Sequence, residues 1–326
     1  EICNAQIPEG TKKQITLEVT KTMDGQAMTI PFTVVNGKEP GPVLLLDGCV
    51  HGDEPEGAMA IIRMMNELNP EKLKGTVICV PAVNVSALAQ TKRGNARDEH
   101  NYDMNRIYPG KPDQFLTGRI AYKHYTEILS KATMEISVHG GGNHSFMCPA
   151  IFNSGIPESI KLAKAMGEDW PIIMTSLGDA SPAGQAKKLG FPGITVEIGG
   201  MSGTVPEMYD KTVKTLMKGF YNVMYTYGML EGTPTNVKNV VWTSGTVYVE
   251  NDGLINPIYG SKVGQMMQPG EPISQVVNLK GEVVQEAVAP CVGIPFGVHS
   301  YPSVTTGDWF VFLLQASGEP IFDQKI

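Results

Sequence analysis

Cysteine is sparse and unpatterned in this chain. Its five residues (Cys3, Cys49, Cys79, Cys148, Cys291) are odd in number and show no Cys-x-x-Cys spacing, which excludes a disulfide framework and leaves buried, reduced thiols as the expectation. No apolar run is long enough to cross a bilayer, and the chain as given opens at Glu1 without a secretory leader. Cytoplasm is the default expectation, with a leader removed before Glu1 left open. Positive charge is also short: 26 Lys and Arg against 33 Asp and Glu give a net charge of −7. Nucleic acid and anionic membranes need a clustered basic surface, so neither is expected as a partner. A Gly-x-Ser-x-Gly elbow and a Gly-x-x-x-x-Gly-Lys loop are absent, which removes the main support for serine-hydrolase and nucleotide-hydrolase readings. There is no repeat of fixed period and no low-complexity tract.

What remains is a 326-residue chain with 42% hydrophobic content, enough for one large or two moderate domains. Residues 11 to 35 alternate polar and apolar side chains around Asp24-Gly25, the pattern of antiparallel strands at one sheet edge. Pro42-Val43-Leu44-Leu45-Leu46 and Gly75-Thr76-Val77-Ile78-Cys79-Val80-Pro81 are continuous apolar runs, as expected of strands buried on both faces. Between them, residues 55–68 carry apolar side chains at helical spacing, with Pro55 suited to a first turn. This alternation of strand and helix continues to a last long helix over Val205 to Leu230 and predicts an α/β fold. Beyond Gly232 the composition changes to short β runs separated by Gly, Pro and Asn: Val240-Val241-Trp242, Gly245 to Val249, Val276-Val277-Asn278 and Gly307 to Leu313. A small all-β domain over 233–326 is expected there, after a first domain over 1–232.

The candidate chemistry sits where apolar strands end. Leu44-Leu45-Leu46 runs into Gly48-Cys49-Val50-His51-Gly52-Asp53-Glu54, and Met134-Glu135-Ile136-Ser137-Val138 runs into His139-Gly140-Gly141-Gly142. Such carboxyl ends are where ligands bind in open α/β sheets. His-x-x-Glu alone reads equally well as a packed histidine and a helix-start acid. With His139 as third donor, the set matches a His₂Glu zinc site with an open fourth position. Glu197, in Gly193-Ile194-Thr195-Val196-Glu197-Ile198-Gly199-Gly200, is a carboxylate among apolar neighbours and is costly to bury unless paired or near a metal. A long polar segment over 91–110, with Tyr102, Met104, Ile107 and Tyr108 interleaved, predicts an ordered functional loop.

In order and context, His51-Gly52-Asp53-Glu54, Asp103-Met104-Asn105-Arg106-Ile107-Tyr108-Pro109-Gly110, Val138-His139-Gly140-Gly141 and Thr195 to Gly200 resemble the succinylglutamate desuccinylase/aspartoacylase family. The resemblance covers nearly the whole chain. It implies a zinc carboxypeptidase-like fold, a mixed, mostly parallel sheet with helices on both faces, followed by the β-rich tail. It also implies one zinc held by His51, Glu54 and His139, Glu197 as general base, Asn105 and Arg106 as a clamp on a substrate carboxylate, and Arg93 or Arg97 polarising the scissile carbonyl, with Arg93 preferred. The family usually carries Asp two positions before its third ligand, where this chain has Ser137. Support for that imidazole is therefore expected from elsewhere. His100, His124, His144 and His299 are assigned structural or surface roles, with His100 or His144 lining the site as the minor alternative.

The reaction so implied is removal of an acyl group from a small N-acyl amino acid or related carboxylate-bearing amide. A carboxypeptidase trimming peptide C-termini and a non-catalytic metal-binding module are the alternatives. A homo-oligomer is compatible with the sequence.

Overall fold

The computed structural model describes residues 2–170, 172–175, 177–236, 245–256 and 263–315. The chain begins with an antiparallel hairpin, β1 (Thr11–Lys21) and β2 (Ala27–Asn36), whose turn places Gly25 at φ +83°, a backbone region that favours glycine. The order then runs β3 (Glu39–Gly48), α1 (Glu56–Glu67), β4 (Lys74–Val80), α2 (Val85–Leu88), α3 (Leu116–Glu127), β5 (Met134–His139), β6 (Ser145–Asn153), α4 (Pro157–Lys164), β7 (Ile172–Thr175), α5 (Pro182–Lys188), β8 (Gly193–Gly200) and α6 (Pro206–Thr226).

The strands form one 11-stranded sheet in the order β1-β2-β4-β3-β5-β8-β6, continued by strands from the C-terminal region, with β7 beside β6. Successive residues of β3 point to opposite faces. Leu44 and Leu46 join a core with α1, α4 and α6, whereas Leu45 joins one with α3 and α5. Helices therefore cover both faces, and β5 is buried at every residue.

Among the described residues, parallel pairing is confined to β4-β3-β5-β8 and β6-β7. Six other pairings in this sheet are antiparallel. The expectation of a mostly parallel sheet thus holds for the centre and not for the whole. The physical reason is β6, which leaves β5 after a short turn and crosses to lie antiparallel against β8.

Beyond residue 232 the described elements are strands: β9 (Gly245–Tyr248), β10 (Gly253–Asn256), β11 (Pro272–Val277), β12 (Val283–Val288), β13 (Gly293–His299), β14 (Ser303–Val304) and β15 (Trp309–Gln315). Three of them, β13, β15 and β9, prolong the main sheet from β6, while β12-β11-β10-β14 make a separate four-stranded sheet. The Val240-Val241-Trp242 run lies outside the described residues.

Candidate active site

His51 and Glu54 stand in the turn between β3 and α1, His139 is the last residue of β5, and Glu197 lies opposite His139 in the β5–β8 register. The turn after β3 needs Gly52, because a Cβ there would fall 2.0 Å from the Ala87 carbonyl carbon of α2. His51, Glu54 and His139 are almost wholly buried. His51 Nδ1 is 2.9 Å from Glu54 Oε1, His139 Nδ1 is 2.9 Å from Glu54 Oε2, and the two Nδ1 atoms are 3.1 Å apart.

Three lone-pair donors so close repel one another unless a cation or a proton lies between them. Zinc bound at about 2.0–2.1 Å in tetrahedral geometry separates its ligand atoms by roughly 3.3 Å. The observed triangle is slightly tighter than that, and its His₂Glu composition is a zinc-binding set, so the residues fit one metal ion.

The electrostatics agree. Burial alone would raise the Glu54 carboxyl, but His51 and His139 hold it well below the usual carboxylate range. Burial would lower His51, yet Glu54 and Asp103 raise it above its ordinary value. A pocket that favours positive charge on His51 also favours a cation. Burial pushes Glu197 up to about 8, with His139 lowering it, Glu54 raising it, and Arg93 and Arg106 lowering it.

The loop over 91–110 closes this group from outside. Asp103 Oδ1 is 2.9 Å from His51 Nε2, and Asp103 Oδ2 accepts from Arg93 Nη2 at 2.9 Å. Arg93 Nη1 also reaches Glu54 Oε1 at 3.3 Å. Arg97 instead turns toward Met28 of β2, with Nη1 3.4 Å from Sδ, and lines cavities of about 640 and 1050 Å³ along the β1–β2 hairpin. Those cavities contain none of the three converging donors.

A cavity of about 800 Å³ opens over the donors, and Arg93, Asn105, Arg106 and Glu197 all line it. Of the sequence-predicted site residues, His51, Glu54, Arg93, Asn105, Arg106 and Glu197 line this one cavity, His139 stands behind it against Glu54 and His51, and the competing Arg97 lies elsewhere. Lys92 and Trp309 line it as well and were not anticipated, and so does His144, as in the minor alternative for that histidine. Nor was Asp103, which also accepts the Asn105 N–H at 2.8 Å and so has the sequence appearance of a simple cap for the short helical turn Met104–Arg106. His100 is exposed, whereas His124 is fully buried between Tyr108 and Asp47.

Residues 40–224 match the succinylglutamate desuccinylase/aspartoacylase catalytic domain. A protein of Halomonas elongata named N-alpha-acetyl-L-2,4-diaminobutyric acid deacetylase is 31% identical over 278 residues, covering 81% of this chain and 77% of the relative. Two solved structures are similar in fold. A succinylglutamate desuccinylase/aspartoacylase from Rhodobacter sphaeroides has a TM-score of 0.83 at 23% identity, over 97% of this chain and 99% of the other. The product-bound ectoine utilization protein EutE (DoeB) of Ruegeria pomeroyi has a TM-score of 0.82 at 24% identity, over 95% and 97%.

Proposed function

The chain belongs to the succinylglutamate desuccinylase/aspartoacylase family, and from that premise we propose that it is a zinc-dependent amidohydrolase acting on a small N-acyl amino acid. The observation that carries this reading is the convergence of His51 Nδ1, Glu54 and His139 Nδ1 to within 2.9–3.1 Å, with His51 and Glu54 on the wall of a cavity that also holds Glu197, Arg93, Asn105 and Arg106. The name of the Halomonas relative supports N-acetyl amino acids as the first substrates to try.

One zinc ion per chain, held by His51, Glu54 and His139, would supply Lewis acidity and bring the pKa of a bound water toward neutrality. Glu197 takes a proton from the attacking water and returns it to the leaving amine. It must be ionised to begin; burial pushes its carboxyl up to about 8, with His139, Arg93 and Arg106 lowering it. Nearby positive charge lowers such a carboxyl and favours its ionised form. Arg93 steadies the negative charge that develops on the amide oxygen. Arg106 donates one Nη1 hydrogen bond to the Asn105 carbonyl at 3.0 Å and keeps the rest of its fork for a substrate carboxylate. Asn105 Oδ1, buried and without a hydrogen-bond partner among the described residues, offers an acceptor, and its Nδ2 a donor. Residues 1–232 act as the catalytic domain in this reading, and 233–326 as a β-rich unit whose Trp309 narrows the cleft against long peptides.

The test is zinc content together with a hydrolysis screen over N-acetyl, N-succinyl and N-formyl derivatives of acidic, basic and neutral amino acids, with zinc present and then chelated. Chelator-sensitive release of an acyl group is expected. Cleavage of peptides alone would favour the carboxypeptidase alternative, and a chain that binds zinc without hydrolysing any member would favour the binding module.

A further inference from the structure

At the other ring nitrogen of His139 lies a sealed polar group that the reaction above does not use. Asp47 of β3 and Ser137 of β5 are register partners in the parallel β3–β5 pair. Ser137 Oγ is 2.6 Å from Asp47 Oδ1 and 3.4 Å from His139 Nε2. Asp47 and Ser137 have no exposed surface, and neither does Glu135 two residues earlier on β5. Asp47 lies near enough to Glu135 for its charge to raise that carboxyl, and His124 Nε2 lies 3.8 Å from Asp47 Oδ2. Leaving this many polar side chains in a core is costly, and apolar residues of similar size would pack there without that cost.

The proton inventory gives the group a direction. Burial and Asp47 push Glu135 well above the usual carboxyl range, which leaves Asp47 as the charged member of the group, and its Oδ1 accepts from Ser137 Oγ. Ser137 has a single hydroxyl proton, and it donates that proton in its hydrogen bond to Asp47 Oδ1. Ser137 Oγ can then only accept from His139, which puts the ring proton on Nε2. The Nδ1 lone pair is left free toward Glu54 and His51. His51 reaches the same state by a different route, because its Nε2 meets the Asp103 carboxylate directly at 2.9 Å.

Resting on the metal reading given above, we propose that Ser137 and Asp47 are positioning residues of the metal centre, a buried hydroxyl-mediated relay that fixes the tautomer and ring orientation of His139. The two imidazoles are thus held by carboxylates from opposite sides, one across the loop at the cavity mouth and one through a serine from inside the core.

The experiment measures Zn²⁺ affinity of the full chain by chelator competition for wild type, Ser137→Ala, Asp47→Asn, the double variant and Ser137→Thr, with melting of the metal-stripped proteins alongside. Each of the first two single changes should weaken zinc by roughly 10–100-fold, the usual effect of losing such a partner. The double should weaken it no further, since both break one path. Ser137→Thr keeps the hydroxyl and should stay close to wild type, and metal-stripped Ser137→Ala should melt near wild type. Unchanged zinc affinity in Ser137→Ala overturns the relay. So do additive losses that parallel a fall in metal-stripped melting, which would mark a packing defect. If Asp47→Asn does not fold, the contrast of Ser137→Ala with Ser137→Thr decides alone. A wild-type chain that binds no zinc would overturn the metal reading itself, an outcome distinct from wild-type binding that Ser137→Ala leaves intact.

Discussion

The parallel centre of the sheet and its antiparallel C-terminal wing meet at β6, and they carry function in different ways. In the centre, β3, β5 and β8 are buried on both faces, so their sequences are nearly continuous apolar runs and any polar group in them is conspicuous. The polar groups cluster toward the carboxyl ends, where His51, Glu54, His139 and Glu197 gather. Beyond residue 232, strands such as β12 of the separate four-stranded sheet mix exposed and buried positions along their length, and polar residues are unremarkable there. The wing nonetheless sends Trp309, the first residue of β15, into the same cavity. The centre holds the proposed chemistry, and the wing shapes the space above it.

The largest effects should come from the centre. His139→Ala is expected to abolish tight zinc binding, measured as metal content after dialysis. Glu197→Gln should keep nearly all the zinc while turnover falls by a factor of about 10²–10⁴, the range for losing a general base. Metal loss in Glu197→Gln would make Glu197 a ligand and reverse its assigned role.

A second comparison separates frame from wing. Ile136 has no exposed surface and lies in the core under β5, so Ile136→Ala should cost about 2–5 kcal/mol of stability and weaken zinc binding with it. Phe310 sits in a different apolar cluster, with Val249 and Ile273, and Phe310→Ala should cost a similar amount, about 3–5 kcal/mol. Its folded form should bind zinc as wild type does. Equal zinc loss in both variants would mean that centre and wing do not act separately.

This division also explains what could be read in advance. The central strands, the helices on both faces and the three converging donors were legible because burial on both faces produces apolar runs with polar ends. The wing's attachment was not, since pairing of Val298 with Phe146 joins segments far apart in sequence. Strand β6 was hidden by Pro149, which removes a ladder donor and coincides with a register shift between Met147 and Ala150. That missing strand is why local strand–helix alternation suggested more parallel pairing than exists. Asp103 was masked by its capping role, and the partnership of Ser137 with Asp47 depends on the β3–β5 register, which no single segment encodes.

Glu56 tests the seam between the two regions. It opens α1, is buried, and its Oε1 accepts the Gly200 N–H at 3.0 Å where β8 meets Phe146 of β6. Burial pushes its carboxyl up to about 7, with Glu54 adding to the rise. A raised folded pKa stabilises the fold below the unfolded value near 4.5 and loses that contribution as pH climbs through about 7. The loss amounts to about 3 kcal/mol. Glu56→Gln keeps an acceptor for Gly200 and carries no charge, so in metal-stripped protein its melting temperature should gain on wild type between pH 5 and pH 8. Parallel melting curves across that range would show that Glu56 carries no such strain.

The smallest effect should be the wing's own. Trp309 is half-buried, sits edge-on to His299 with ring centroids 5.4 Å apart, and shares the cavity wall with His144 and Met147 of the β6 end. A register shift between Trp309 and Val311 sets it apart from the regular ladder to β9. Because it is assigned to neither the metal nor the proton path, Trp309→Ala should leave zinc content and kcat close to wild type. Losing the apolar wall should raise KM for a small N-acyl amino acid by up to roughly tenfold, on the order of 1.4 kcal/mol, about half of what fully burying a large apolar side chain contributes. The same change should improve kcat/KM for an N-acyl dipeptide relative to the single amino acid, since the wall that excludes the second residue has been cut back. A fall in kcat with KM unchanged would place Trp309 in the chemistry instead. An unchanged preference between the two substrates would remove the wing from substrate selection.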